Sequence, residues 1–270
     1  MRDAGHEVSG SDEDVFPPMS TYVAGLGFPV TYRFDAANLP ADLDVLVLGT
    51  SAKLGGDDNV EVAAARERGV RITTFAELVG ETTAHRENIV VAGSFGKSTC
   101  SALMAHILRQ AGHDSGWMIG AISPSLPATG HWGTRHEIVL EGDEYIVGNG
   151  DTRSKFDLYH PRHLLLTSLV HDHVNVFPTF HDYEAPFIRL MQDLPKGGLM
   201  VARDHSAIHK IAAETQAHAV WYDTVPCDGW FSEDVDYGDT TRFKLVAPDG
   251  ERLPLTTTLL GAHNIENIVG

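Results

Sequence analysis

The stretch VVAGSFGKSTC, residues 90–100, constrains the fold more than any other: an apolar strand passes through a glycine-bearing loop straight into a helix. Residues 89–91 read as a buried strand. Residues 98–110 read as an amphipathic helix, with Cys100, Leu103, Met104, Ile107, Leu108 and Ala111 at helical spacing and Gly112 as its stop. Such a unit belongs to a parallel sheet covered by helices. The helix N-terminus is then a ready anion site, because its unpaired N–H groups and its dipole point outward. The stretch departs from the strict pattern G-x-x-x-x-G-K-[ST], since Val91 stands where the first glycine belongs and the nearest is Gly93. Gly93 and Gly96 still permit close backbone approach, Lys97 can reach outer phosphates, and the Ser98 hydroxyl can ligate Mg²⁺. The competing reading is a strand-to-helix turn with a solvated lysine; the agreement of strand, loop and helix favours phosphate binding.

The rest of the chain alternates in the same way. Strands are expected at 45–48, 71–73, 137–140, 163–167, 199–202 and 219–222, and helices at 59–68, 184–193 and 206–215. Thr74 and Glu77 form a capping-box pattern that opens one more short helix. The start predicts a helix tail closed by Gly5 and a short strand at 7–9. A second unit begins after the polar stretch GETTAHREN, residues 80–88. Residues 241–261 read as a hairpin turning at Pro248-Asp249-Gly250, and GAHNIENIVG opens a further helix. Alternation of this kind implies an α/β fold with a mostly parallel sheet.

Net charge is -17 over 270 residues, which argues against a nucleic-acid partner, because a polyanion needs a basic face. It also means that ATP would be held by a few local cations, metal included. Two cysteines, Cys100 and Cys227, fit reduced thiols better than a disulfide framework. No apolar run reaches signal-peptide or membrane-spanning length, so a cytoplasmic protein without membrane insertion is expected.

Three further segments carry candidate chemistry. In IVLEGDEYI an apolar strand ends at Glu141, where a sheet-edge carboxylate suits Mg²⁺, although a solvated acidic turn reads the same. In LLLTSLVHDHVNVF another strand runs into His171, Asp172 and His173, either structural histidines or a metal position. In GAHNIENIVG, Asn264 and Asn267 lie three apart on one helix face, able to read an adenine edge; Asn264 as an N-cap is the alternative.

In this order GSFGKST, EGDE, Asp172-His173 and GAHNIEN resemble the Mur ligases, ATP-dependent enzymes that join amino acids or peptides to UDP-N-acetylmuramic acid precursors. That family's loop is the short form G-[ST]-x-G-K-[ST]-T, followed by E-[AG]-D-E, a D-H strand end and G-x-H-N-x-x-N. SGSDEDVFPPMST is similar to the segment after the second strand of the family's UDP-binding domain. LGTSA and DDNVEVAAARERG look like the next strand and helix.

The resemblance implies a partial Rossmann-like UDP-binding domain at 1–84, missing its first strand. A P-loop ATP-binding central domain at 85–270 follows, and a C-terminal domain is absent. It implies ATP and Mg²⁺ as cofactors, with Gly93, Ser94, Gly96, Lys97, Ser98 and Thr99 around the phosphates and Asn264 and Asn267 at adenine. Ser98 and Glu141 would hold one Mg²⁺ and His173 a second, so that Lys97, Glu141 and His173 carry the catalysis. Ser11 and Asp12 would face the UDP moiety of UDP-N-acetylmuramate. DTRSKF, residues 151–156, resembles an insertion of the branch that adds L-alanyl-γ-D-glutamyl-meso-diaminopimelate, and IVGNG before it departs from that pattern. Arg153 and Lys155 would meet anionic substrate groups there, or form a solvated charged loop. EAPFIRL lacks the lysine that other branches carbamoylate. The alternatives are the L-alanine-adding branch and a non-catalytic nucleotide-binding remnant.

Overall fold

A computed structural model describes residues 1–13, 15–50 and 59–270. Ser51 and Ala52 of LGTSA, and Asp57 and Asp58 before the following helix, lie outside the described residues. The chain forms two compact units, residues 1–79 with 146–152, and residues 80–145 with 153–270.

In the first unit, Arg2–Ala4 makes a 3₁₀ turn that ends on Gly5 at φ 85, the left-handed close expected there. The strand expected at 7–9 is found three residues on, as β1, Gly10–Ser11. Its place is set by pairing, not by local pattern. After helix α1, Met19–Gly25, β2, Val30–Thr31, lies parallel to β1 with Gly10 opposite Val30. β3, Val45–Leu48, leads to helix α2, Val60–Glu67, which Asn59 caps by accepting the N–H groups of Glu61 and Val62 at 2.9 and 3.2 Å. β4, Arg71–Thr74, runs parallel to β3, and helix α3, Phe75–Thr83, follows. The Thr74–Glu77 capping box is present: Thr74 N–H donates to the Glu77 carboxylate at 2.8 Å, and Glu77 N–H returns to Thr74 Oγ1 at 3.2 Å. The first residues of the polar stretch therefore belong to a helix.

The second unit is built on a ten-stranded sheet. β5, Glu87–Ala92, enters α4, Lys97–Gln110; β6, Gly116–Met118, β7, Gly130–His131, and β8, Glu137–Glu141, follow. β9, Ile146–Gly148, and β10, Asp151–Ser154, pair as a separate two-stranded sheet that belongs mostly to the first unit, and β11, His163–Leu166, resumes the second. Then come α5, Phe180–Gln192, β12, Leu199–Arg203, α6, Ser206–Thr215, and β13, Ala219–Asp223. β14, Gly229–Asp236, β15, Thr241–Val246, β16, Arg252–Thr257, and α7, Ala262–Val269, complete the chain. Strand order is β16-β15-β14-β13-β12-β11-β5-β8-β6-β7, parallel from β14 to β6 and antiparallel at both edges.

Helix α5 begins at Phe180, four residues before the expected 184, because Thr179 and Asp182 form a reciprocal capping box. The β15–β16 hairpin turns at 248–250 as expected, with Gly250 at φ 87. The sheet centre is dry on both faces: Val90, Val91, Val139, Leu140, Leu164, Leu165 and Met200 are all buried. Cys100 and Ala105 of α4 and Ile265 and Val269 of α7 pack in one cluster with Val91, Val139 and Leu165. The connections β11–α5–β12 and β12–α6–β13 run along the sheet in the direction opposite to β5–α4–β6, and the right-handed rule for such crossovers assigns α5 and α6 to the other face. Not all of the α4 stripe is covered, since Ile107 is exposed.

Candidate functional site

β5 sits where the strand order reverses, with β8 and β6 to one side and β11, β12 and β13 to the other. Open α/β sheets bind ligands at the carboxyl ends of strands beside such a reversal. Register puts Glu141 opposite Val91 and Leu166 opposite Ala92, so β5, β8 and β11 deliver their following residues to one edge.

The loop between β5 and α4 is shaped from the β11 side. Ser94 N–H donates to Ser168 O at 3.2 Å, and Phe95 N–H to Ser168 Oγ at 2.8 Å. Thr167 Oγ1 donates to the carbonyls of Ala92 and Phe95. Gly93, at φ 137, lies so close to Thr167 and Ser168 that a Cβ would meet Thr167 Oγ1 at 2.2 Å. Gly96 is the N-cap of α4 at φ 84, and the first helical bond is Cys100 N–H to Gly96 O at 2.9 Å. The N–H groups of Gly96, Lys97, Ser98 and Thr99 thus have no acceptor among the described residues. These consecutive donors sit on the positive end of a helix dipole, an arrangement that binds a phosphate group.

The side chains divide between two clusters. Ser98 Oγ donates to Glu141 Oε1 at 2.6 Å, and the other Glu141 oxygen accepts Gly120 N–H at 2.7 Å. Lys97 Nζ donates to Gly93 O at 2.7 Å and lies 2.9 and 3.1 Å from the two oxygens of Glu144, a carboxylate with no solvent exposure. His173, at φ 51, points Nε2 to Glu144 Oε1 at 3.2 Å. Glu144, Asp172 and His173 offer ligand atoms that all lie within 4.8 Å of one another, so they could hold a metal ion. The two positions expected for Mg²⁺ lie apart: Ser98 sits with Glu141, while His173 joins Glu144 and Asp172, neither of them among the expected ligands. Both groups present the oxygen-rich donors that suit Mg²⁺.

Ser94 turns its hydroxyl into the protein, away from the loop's open side. Its oxygen donates to Val170 O at 2.7 Å and accepts from Val170 N–H at 2.8 Å and from Tyr183 Oη–H at 2.9 Å. Asn264 is not the N-cap of α7, a place taken by Gly261. Its amide nitrogen donates to Leu260 O at 2.7 Å, and its oxygen lies 3.5 Å from the Asn267 amide nitrogen. Asn267 Oδ1 lies over Gly96, 2.5 Å from where a Cβ would stand, and 3.5 Å from Cys100 Sγ. Burial pushes the Cys100 thiol up to about 12, so it is a protonated packing group.

Lys155 is half-buried and bonded to Asp143 at 2.7 Å, while Arg153 stands exposed on β10. Burial alone would raise the Asp143 carboxyl; the bonds from Lys155 and Tyr145 N–H outweigh it and hold the group below its ordinary 3.8. A depressed carboxylate stabilises the fold above its unfolded value and loses that contribution as pH falls through the folded one. Lys155→Ala is thus expected to cost about 1 kcal/mol at neutral pH, the pair being partly screened by solvent. In denaturant titrations the gap to the parent should close as pH drops below 3.8. A constant gap across that range would show that packing, not charge, is what Lys155 supplies.

In the first unit, Ser11 Oγ donates to the buried Glu61 carboxylate, which also accepts Asn38 Nδ2 at 2.7 Å and Asp35 N–H at 3.2 Å. Asp12 is exposed, and its Oδ1 accepts Glu13 N–H at 2.7 Å. Sequence reasoning does not find Glu144, Ser168 or Tyr183 as site residues. Glu144 has a signal, as the last residue of EGDE; the other two come from long-range packing.

The profile of the Mur ligase family catalytic domain matches residues 1–87, and that of the Mur ligase middle domain matches residues 91–270. The UDP-N-acetylmuramate–L-alanyl-γ-D-glutamyl-meso-2,6-diaminoheptandioate ligase of Haemophilus influenzae is 28% identical over 267 residues, covering 97% of this chain and 57% of that protein. A UDP-N-acetylmuramate–L-alanine ligase of a Roseiflexus species is 31% identical over 286 residues, covering 99% and 58%. The chain therefore spans somewhat over half the length of these curated relatives. Among solved structures, a UDP-N-acetylmuramate:L-alanyl-γ-D-glutamyl-meso-diaminopimelate ligase from Neisseria superposes with a TM-score of 0.85 at 28% identity, over 99% of this chain and 85% of that one. With the family's middle-domain profile alone matching residues 91–270, two thirds of the sequence, the chain belongs to the Mur ligase family.

Proposed function

We propose that the chain provides the ATP-binding and UDP-sugar-binding parts of a ligase that joins L-alanyl-γ-D-glutamyl-meso-diaminopimelate to UDP-N-acetylmuramate in the cytoplasm. The observation that carries this reading is the row of unpartnered N–H groups from Gly96 to Thr99, flanked by Lys97 and by the Ser98–Glu141 pair. On this reading the muramyl carboxylate attacks the γ-phosphate of ATP and ADP leaves. The peptide amine then displaces phosphate from the acyl-phosphate, giving an amide. The protein's part is positioning and charge neutralisation. Lys97 exchanges Glu144 for the β/γ-phosphates. Ser98 and Glu141 would hold one Mg²⁺, and His173, with Glu144 and Asp172, a second; bound there, Mg²⁺ would supply neutralisation of phosphate charge. Asn264 and Asn267 border adenine, and presentation of the amine falls to a further domain. The tripeptide is preferred over L-alanine because the Haemophilus and Neisseria relatives carry tripeptide-ligase names and residues 151–156 resemble that branch's insertion.

Calorimetric titration of Mg·ATP into the chain tests the phosphate site. Binding is expected for the parent and loss of at least tenfold in affinity for Lys97→Ala. Equal binding by both, or binding by neither, would overturn the reading. Phosphate release with UDP-N-acetylmuramate and either the tripeptide or L-alanine then separates the two branches.

A further inference from the structure

We propose that Tyr183 is a positioning residue for the phosphate loop, acting through the Ser94 hydroxyl. This rests on the ATP-binding reading and adds to it a residue on another element. Helix α5 starts at Phe180, so Tyr183 lies in its first turn and reaches back to the edge of the sheet. Its ring is wholly buried, edge-on to Phe177 at 5.5 Å and tilted against Phe187 at 5.3 Å and His171 at 5.9 Å. That packing fixes where the phenol oxygen stands.

The phenol oxygen lies 2.9 Å from Ser94 Oγ and 3.5 Å from Glu144 Oε1. A serine hydroxyl has one proton and two lone pairs. At Ser94 the proton goes to Val170 O, and the lone pairs take Val170 N–H and the Tyr183 hydroxyl. The oxygen has no capacity left, so its orientation is determined. Ser94 adjoins Gly93 and Phe95, the residues whose backbone the β11 end already holds. One buried hydroxyl thereby links α5 to the segment that aims the N–H groups of Gly96 to Thr99. It also lies beside the carboxylate that holds Lys97.

Removing the donor leaves the ring packing intact and one lone pair of Ser94 unfilled. The test is Mg·ATP calorimetry and thermal melting on four proteins: parent, Tyr183→Phe, Ser94→Ala and the double variant, with Lys97→Ala alongside. We expect each single variant to bind ATP roughly five- to tenfold more weakly, the scale of one buried hydrogen bond. The double variant should lose no more than the weaker single, because both changes remove the same link. Melting temperatures should fall by only a few degrees.

A residue that serves stability alone would lower the melting temperature and leave ATP affinity where it was. That result for Tyr183→Phe, with Lys97→Ala impaired, overturns this proposal and spares the ATP-binding reading. Additive losses in the double variant would also overturn it, since the two groups would then act separately. If Lys97→Ala binds like the parent, or the parent does not bind, the ATP-binding reading fails and this proposal with it.

Discussion

Gly93→Ala is expected to abolish ATP binding and to lower the melting temperature by roughly 10 °C. Two costs coincide at this position. At φ 137 a side chain is strained whatever the space around it, and the added Cβ would stand 2.2 Å from Thr167 Oγ1 and under 3 Å from the Ser168 backbone. The obstacle is the end of β11, a buried central strand, so it cannot swing aside as an exposed side chain would. Relief must come from moving the loop, and the loop's N–H groups move with it. Strain and overpacking together cost about 3–4 kcal/mol. A melting temperature within 2 °C of the parent's and unchanged ATP affinity would show that the Gly93–Thr167 approach is looser than described.

Lys97→Ala is expected to destabilise the protein as well as to disable it, which a loop lysine with no partner would not do. Glu144 has no solvent exposure and lies within 3.1 Å of the Lys97 ammonium through both oxygens. Removing the ammonium leaves a buried carboxylate with Asp172, His173 and the Tyr183 hydroxyl as polar neighbours among the described residues. Breaking one side of such a pair costs about 3 kcal/mol, since the surviving charge stays desolvated. Adding Glu144→Gln to Lys97→Ala should therefore recover most of the lost stability without recovering ATP binding. Urea titrations of the parent, the two single variants and the double variant give the coupling directly. If the second substitution makes matters worse, Glu144 is held by something other than the lysine.

The strand, loop and helix around residues 90–100 were legible in the sequence because local pattern and tertiary role agree there. The same holds for α6, found at 206–215 as expected, and for the hairpin at 248–250, where turn chemistry is local. Residues 229–236 gave no sign of a strand, since GWFSEDVD mixes charges with aromatics; β14 exists because β13 and β15 flank it. The start of α5 lies four residues before the expected 184 for a different reason: the local signal there is the Thr179–Asp182 capping box, which apolar spacing does not carry. Within the site, residues on the loop itself could be named from their order. Residues that reach it from elsewhere, Tyr183 and Ser168, could not, because no spacing along the chain shows that α5 and the end of β11 converge on Ser94. That Glu144 joins His173 was equally hidden, since spacing does not show which carboxylate of EGDE faces that histidine.

The backbone at Ser94 and Phe95 is hydrogen-bonded to Ser168, so these two residues are held by the protein's own groups. Fixing a residue's backbone costs about 1–2 kcal/mol in conformational entropy, and for this stretch that loss occurs when the protein folds. A phosphate that binds beyond them meets a loop whose first half is tied down in this way, which reduces the ordering that its own hydrogen bonds must offset.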